Sequence, residues 1–197
     1  MFGTAIRFLL DTAFGLLTFA FLLRFAMQWL RAPFRNPVGE ALVAATDWAV
    51  KPLRRVLPGY HGFDWATLLL AWFTQFVWIV MLGLLAGVTS LGGMTIVAGA
   101  LYAVVELIKS ALWLLIVAVI VQALLSWFAP YGPLAGLLNA LTYRFLAPIR
   151  KRIPALGGTL DLSPLLLVVL VQLVLMLPVQ WLEVAVAGLF LQGRIGP

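Results

Sequence analysis

Three stretches of the chain carry no acidic or basic residue: 65–105, 110–143 and 162–182. Each is at least as long as the roughly 20 apolar residues a helix needs to cross about 30 Å of hydrocarbon. A soluble domain is about 25% charged; here the share is 10%, against 64% hydrophobic. An ordinary globular domain, a disordered chain and a coiled coil are thereby excluded. The expectation is an all-α membrane protein with four transmembrane helices, near 12–30, 65–86, 108–128 and 164–187. Arg7 followed by an apolar run resembles a secretory signal, but Asp11 interrupts it and no A-x-A site closes it, so a retained helix is expected. Glu106 and Lys109 share one helical face and are placed at the outer interface, with a membrane-associated segment before them.

Lysine and arginine set the expected orientation. Arg31, Arg35, Lys51, Arg54 and Arg55 follow the first span, and Arg144, Arg150, Lys151 and Arg152 follow the third. The connection at 87–96 has none, and only Arg7 and Arg194 lie near the termini. Positive loops stay in the cytoplasm, so both basic loops are expected there and both termini on the other side. Topology then accounts for most of the net charge of +6, and no direct nucleic-acid binding is expected.

The chain repeats itself at a period of 96–98 residues. Trp29 matches Trp127, and residues 46–58 match 142–154. Asp64 matches Asp161, Gln75 matches Gln172, and Arg24 matches Gln122. Each copy reads helix, basic loop, helix, giving units of 1–92 and 93–197 with loops at 31–64 and 129–163. Two crossings per unit give both copies the same orientation, a parallel repeat with an expected pseudo-two-fold axis along the membrane normal. Within the loops, apolar residues at 38, 41, 42, 45, 49, 53 and 56, and at 134, 137, 138, 141 and 145, fall at helical spacing. Non-spanning amphipathic helices are expected at 38–50 and 134–146, lying in the interface or packed on the ends of the spans. Pro52 and Pro148 are expected to end or kink them.

The second copy reads Pro148-Ile149-Arg150-Lys151-Arg152-Ile153-Pro154, then Gly157-Gly158-Thr159-Leu160-Asp161-Leu162-Ser163-Pro164. With the Trp that ends the first helix, this resembles the YGGT repeat of the YggT (YlmG-like) integral membrane family. The first copy departs, with His61-Gly62-Phe63-Asp64-Trp65-Ala66-Thr67 lacking the glycine pair and Ser-Pro. The resemblance implies a bacterial inner-membrane or plastid-membrane protein, and links to osmotic-stress tolerance and ion homeostasis, to cell division and nucleoid organisation, or to assembly of a membrane complex. It implies no agreed biochemical activity.

Several groups are candidates for function. Lys51, Arg54, Arg55, Arg144, Arg150, Lys151 and Arg152 either bind anionic headgroups or an acidic partner, at about 1 kcal/mol each, or only enforce topology. Asp64 is placed to cap the second span and Ser163 the fourth, with Pro164 at its first position; Asp161 is then free to pair with Arg150 or Arg152. Arg24, Gln28, Gln75, Gln122, Gln172 and Gln180 are polar residues within spans, which either line an ion path or join helices by hydrogen bonds. Gln75 and Gln172 are expected to face the interior and bond each other, Gln28 or Gln122. No catalytic motif, cysteine or histidine cluster is present, so neither an enzyme nor a cofactor is expected; His61 as a haem ligand would need a second axial group from another chain. Two functions remain: an organiser of lipid or partner proteins at the cytoplasmic face, or a small oligomeric channel or transport subunit. The second is disfavoured by the lack of an acidic relay in the expected spans.

Overall fold

A computed structural model describes residues 2–60, 62–85, 93–128, 132–152 and 161–192. Its elements are α1 (Phe2–Trp29), α2 (Pro37–Val56), α3 (Trp65–Leu85), α4 (Gly93–Phe128), α5 (Pro133–Arg152), α6 (Ser163–Val174), a π-helical turn (Leu175–Val179) and α7 (Gln180–Gln192). Four helical stretches are long and apolar enough to span a membrane: Gly3–Trp29, Trp65–Leu85, Thr95–Phe128 and Ser163–Leu189. The fourth is α6, the π turn and α7 in one run. Pro178 lies in that turn. Proline lacks a donor and crowds the preceding turn, and a widened turn relieves both.

Two boundaries differ from expectation. The first span begins near residue 3 instead of 12, because one aspartate and one arginine do not break a helix that can point them outward. The third extends back to Gly93 as one unbroken helix of 36 residues, instead of a span at 108–128 with a separate segment before it. Glu106 and Lys109 satisfy each other at 2.8 Å, so the pair does not stop the helix.

The amphipathic segments α2 and α5 are helical, 20 residues each, and too rich in charge to span a membrane. Asn36 caps α2, its side chain accepting from the Gly39 amide at 2.9 Å, with Pro37 at the first position. A Cβ on residue 39 would lie 2.4 Å from the Phe34 carbonyl oxygen, so only glycine fits there. The helices do not end at Pro52 and Pro148; they run on to Val56 and Arg152. Both prolines are on exposed faces, where solvent can take the carbonyl each one frees. Arginines two residues beyond each proline are tied to carboxylates, which holds the last turn in place. Of the stripe expected on α2, Leu42 is buried and Val38, Ala49 and Leu53 are half-buried, but Ala41, Ala45 and Val56 are exposed; the buried face is rotated and runs through Leu42, Thr46 and Val50, with Trp48 pointing outward.

α4 is the central helix. It packs against α1 and α3 of the first copy and against α5, α6 and α7 of the second. Met27, Leu42, Ala118, Leu137, Leu138 and Leu141 form the core that joins the copies at the basic end. A two-fold axis would pair α1 with the fourth span as closely as α3 pairs with α4. Among the described residues no such packing occurs, so the copies are related without a closed two-fold arrangement.

Candidate functional site

At the basic end of the first copy a charged link joins a span to its amphipathic helix. Arg24, 4% exposed, donates through Nη1 to Thr46 Oγ1 at 2.6 Å, and Thr46 donates to the Leu42 carbonyl. Arg24 Nη2 is paired with Asp47 at 2.8 Å, and Lys51 holds the other Asp47 oxygen at 2.8 Å. The Lys51 hydrogen bond is the strongest influence on Asp47; burial, the next, acts upward, and Lys51 with Arg24 outweighs it and keeps the carboxyl below the usual range. In the second copy the same positions are neutral. The Thr142 hydroxyl lies against Gln122 Oε1 and the Leu138 carbonyl, and Gln122 donates to Asn139 at 3.2 Å. Tyr143 stands where Asp47 does.

A second link is made by both copies. Arg54 donates to both oxygens of Asp64 and, at 2.9 Å, to Gln28 Oε1. Asp64 in turn accepts from the Thr67 amide and hydroxyl, capping α3. Burial is the largest single influence on Asp64 and acts upward, yet the bonds from Arg54 and Thr67 together hold its pKa below the ordinary value. In the second copy Arg150 donates to Asp161 at 2.9 Å, and Asp161 accepts from the Ser163 amide at 2.9 Å. There too burial acts upward, and contacts with Ser163 and Arg150 outweigh it. Ser163 is not the cap expected of it. It is the first helical residue, not the residue before it, and its side chain is buried. The longer Asp161 side chain reaches the amide first.

These links divide the basic residues. Lys51, Arg54 and Arg150 are engaged by carboxylates within the chain. Arg55, Arg144, Lys151 and Arg152 form no ion pair among the described residues, nor do Arg31 and Arg35. All six are exposed at the end where α2 and α5 lie. Sequence reasoning grouped the engaged and unengaged cations together; the matching Arg–Asp spacing in the two copies was the signal that separates them.

Toward the opposite end, α4 and α7 are clasped by charged and polar groups. Lys109 bonds Glu106 at 2.8 Å and Glu183 at 3.0 Å, and the Tyr102 hydroxyl donates to Glu183 at 3.0 Å. Asp11, Gln75, Tyr102 and Glu106 line an adjoining cavity of about 250 Å³. Acidic residues therefore do lie within the apolar helices, where the sequence reading saw no acidic relay. Glu183 was overlooked, although any acid in an apolar run demands a partner. Gln75 and Gln172 are half-buried, but no bond joins them to each other, to Gln28 or to Gln122 among the described residues. Gln28 is taken by Arg54 and Gln122 by Thr142 and Asn139. Without a two-fold axis the two glutamines do not meet. Gln180 is exposed on the fourth span. His61, Pro154 and the Gly157–Gly158 pair lie outside the described residues.

The repeated plan agrees with the comparisons. The family model CCB3/YggT matches residues 3–85 and 101–182, one segment for each copy. The chain belongs to the CCB3/YggT family. An uncharacterised Pseudomonas aeruginosa protein is 37% identical over 89% of this chain and 88% of its own length. One from Vibrio alginolyticus is 38% identical over 83% and 87%, and the uncharacterised YggT of Escherichia coli K12 is 34% identical over 86% of each. No solved structure matches the chain. In CCB3/YggT terms, the first matched segment contains α1 to α3 and ends where α3 ends. The second begins inside α4 and ends inside α7, and so holds most of the acidic clasp.

Proposed function

We propose that the protein is a non-enzymatic organiser at the cytoplasmic face of a bacterial inner membrane, gathering anionic lipid or an acidic partner protein on α2 and α5. The observation that carries this is the division of charge. Six exposed cations at one end have no acidic partner, while every cation needed to hold the helices together is already paired. Exposed unpaired arginine and lysine attract an anionic surface at about 1 kcal/mol each, falling off within a Debye length. With basic loops cytoplasmic, both termini are periplasmic; a phosphatase fused after Pro197 is active, and a fluorescent C-terminal fusion that glows in the cytoplasm would overturn the orientation. Tolerance of osmotic stress, cell division and assembly of a membrane complex are the processes such a surface would serve.

The test replaces Arg35, Arg55, Lys151 and Arg152 with glutamine in the full chain. In nanodiscs of defined composition, enrichment of phosphatidylglycerol around the protein falls and loses its salt dependence, while thermal stability stays unchanged. Undiminished enrichment would leave those residues a topology role alone. The polar cavity by Asp11, Gln75 and Glu106 favours a second reading, ion permeation. Its way to the basic end is closed by the packing of Phe21, Leu22, Ala71 and Leu114 one to three turns away, so an ion flux in proteoliposomes would require those helices to part.

A further inference from the structure

Between the two copies, at the basic end, lies a cleft of about 490 Å³. Trp29 and Arg31 from the end of α1, Phe63 from the turn before α3, and Tyr143 and Arg144 from α5 line it. The Arg144 guanidinium sits over the Trp29 ring, 5.0 Å from its centre, so a second-copy cation is fixed against a first-copy aromatic. Trp29 also stacks on Phe63, which a tight turn through Gly62, at φ +83, presents to it. Neither Arg31 nor Arg144 forms an ion pair among the described residues, which include all seven aspartates and glutamates of the chain.

The backbone at Arg31 is unusual. α1 ends with the Ala32 amide bonded to the Met27 carbonyl and the Arg31 amide to that of Gln28. That pattern puts its penultimate residue in the left-handed region, where glycine is strongly preferred. Arg31 occupies it at φ +54, the one non-glycine residue with positive φ among those described. A strained, exposed arginine is retained where glycine would be the stabler choice, and it lines the cleft.

Directly beneath is a second space of about 330 Å³, lined almost wholly by apolar side chains of α1, α3, α4 and α5, including Phe25, Ala26, Ala111 and Phe145. It shares Trp29 and Leu30 with the cleft above. A cationic mouth over an apolar groove, with aromatic rings at their boundary, is complementary to one kind of ligand. It has a phosphate at one end and a hydrocarbon chain at the other.

We infer that the junction of the two copies is a binding site for a single anionic phospholipid, its phosphodiester held by Arg31, Arg144 and the Tyr143 hydroxyl and one acyl chain laid in the groove against α4. The site rests on the proposed reading of the basic face but depends on Arg31 and Arg144 alone of its six cations, while the nanodisc test removes the other four, so the two fail separately. The lipid links α1 to α5, and so occupancy stiffens the joint between the copies.

The test is native mass spectrometry of the full chain released from detergent after loading with phosphatidylglycerol. The wild type retains one lipid, and retention of phosphatidylcholine is weaker. Arg31→Gln with Arg144→Gln weakens retention roughly thirtyfold, because the phosphodiester then has neither of its cationic partners. Arg31→Gly separates binding from folding: it relieves the strained backbone, so melting temperature rises while retention falls. Ala111→Phe fills the groove and reduces retention with the arginines intact. Replacing Arg35, Arg55, Lys151 and Arg152 leaves the retained lipid in place even where it abolishes the diffuse enrichment. Equal retention in the Arg31→Gly protein would overturn the proposal. So would competition by inorganic phosphate as strong as by the lipid, which would make this a phosphate site, or displacement by an acidic peptide alone, which would make it a protein interface.

Discussion

The two copies share a plan and differ in what fills it. In the first, Phe25, Trp29, Phe63 and Trp65 stack in a continuous series with centroids 5.8 to 6.3 Å apart. In the second, the counterparts of Phe25 and Trp65 are Ala123 and Leu162. Trp127 is 76% exposed, and a cavity of about 670 Å³ opens beside Ala123, Trp127 and Arg150. The ion pair beneath changes accordingly: Asp64 is 1% exposed under the rings, while Asp161 in the open copy retains 40% of its side-chain exposure. The Arg24–Asp47 link is charged in the first copy and its counterpart neutral in the second. A duplicated scaffold thus holds one closed, charge-locked half and one open half with weaker bonds. The difference teaches that matching motifs in a repeat fix contacts, while their strength comes from what surrounds them.

The largest expected effect is at Arg24. Its removal leaves Asp47 and Thr46 without their span-side partner in a nearly buried site, and Arg24→Ala costs about 3 kcal/mol, read as a fall in melting temperature in detergent. Gln122→Ala, at the neutral counterpart, costs about 1 kcal/mol. Importing the second copy's pair, Arg24→Gln with Asp47→Tyr, recovers most of the loss; no recovery would mean that the two links are not interchangeable.

The next contrast is between the two aspartates. Asp64→Asn leaves Arg54 unneutralised against a buried site and costs about 2 kcal/mol, whereas Asp161→Asn, half in solvent, costs under about 1 kcal/mol. The pH dependence has the same sign at both. Each has a folded-state pKa below its ordinary 3.8, so each contributes stability that is present above that value and lost as pH falls through the folded pKa. A melting series taken downward from pH 5 shows the fall beginning near pH 4, and Asp64→Asn removes more of it than Asp161→Asn. Identical acid profiles for the two variants would erase the distinction between closed and open halves.

The smallest expected effect is a gain. Ala123→Phe places a ring where the first copy has Phe25, and raises stability by about 0.5 kcal/mol through new aromatic contact with Trp127. A loss on this substitution would show that the cavity has an occupant.

Much of this architecture was legible in the residues. Uncharged runs of spanning length marked three of the four membrane helices, because hydrocarbon tolerates little else. Paired spacing of Arg, Pro and Asp marked the repeat; the pairing of Asp161 was expected with Arg150 or Arg152 on the premise that Ser163 caps the helix, and Asp161 in fact both pairs with Arg150 and accepts from the Ser163 amide. Of the two outcomes expected at Pro52 and Pro148, an end or a kink, the end does not occur: an exposed face absorbs the missing bond, a property of position that composition does not carry. The Lys109–Glu183 clasp joins residues 74 apart, and no local pattern signals which acid a buried lysine will meet. The same holds for Arg31 and Arg144, which belong to different copies and meet at one cleft only through packing at Ala118 and Leu141. Periodicity predicts faces, and an axis of symmetry was added to it without warrant; packing alone decided where Gln75 and Gln172 point.

The unbroken α4 has a consequence for the bilayer itself. At 1.5 Å per residue its 36 residues form a rod about 54 Å long, against hydrocarbon about 30 Å thick. Tilts of natural spans reach about 40°, which shortens such a rod to no less than about 41 Å. A rod of that length matches the roughly 40–45 Å of a bilayer counted with its headgroups. One end of α4 therefore lies among headgroups, where polar glycerol and phosphate rather than acyl chains are its solvent.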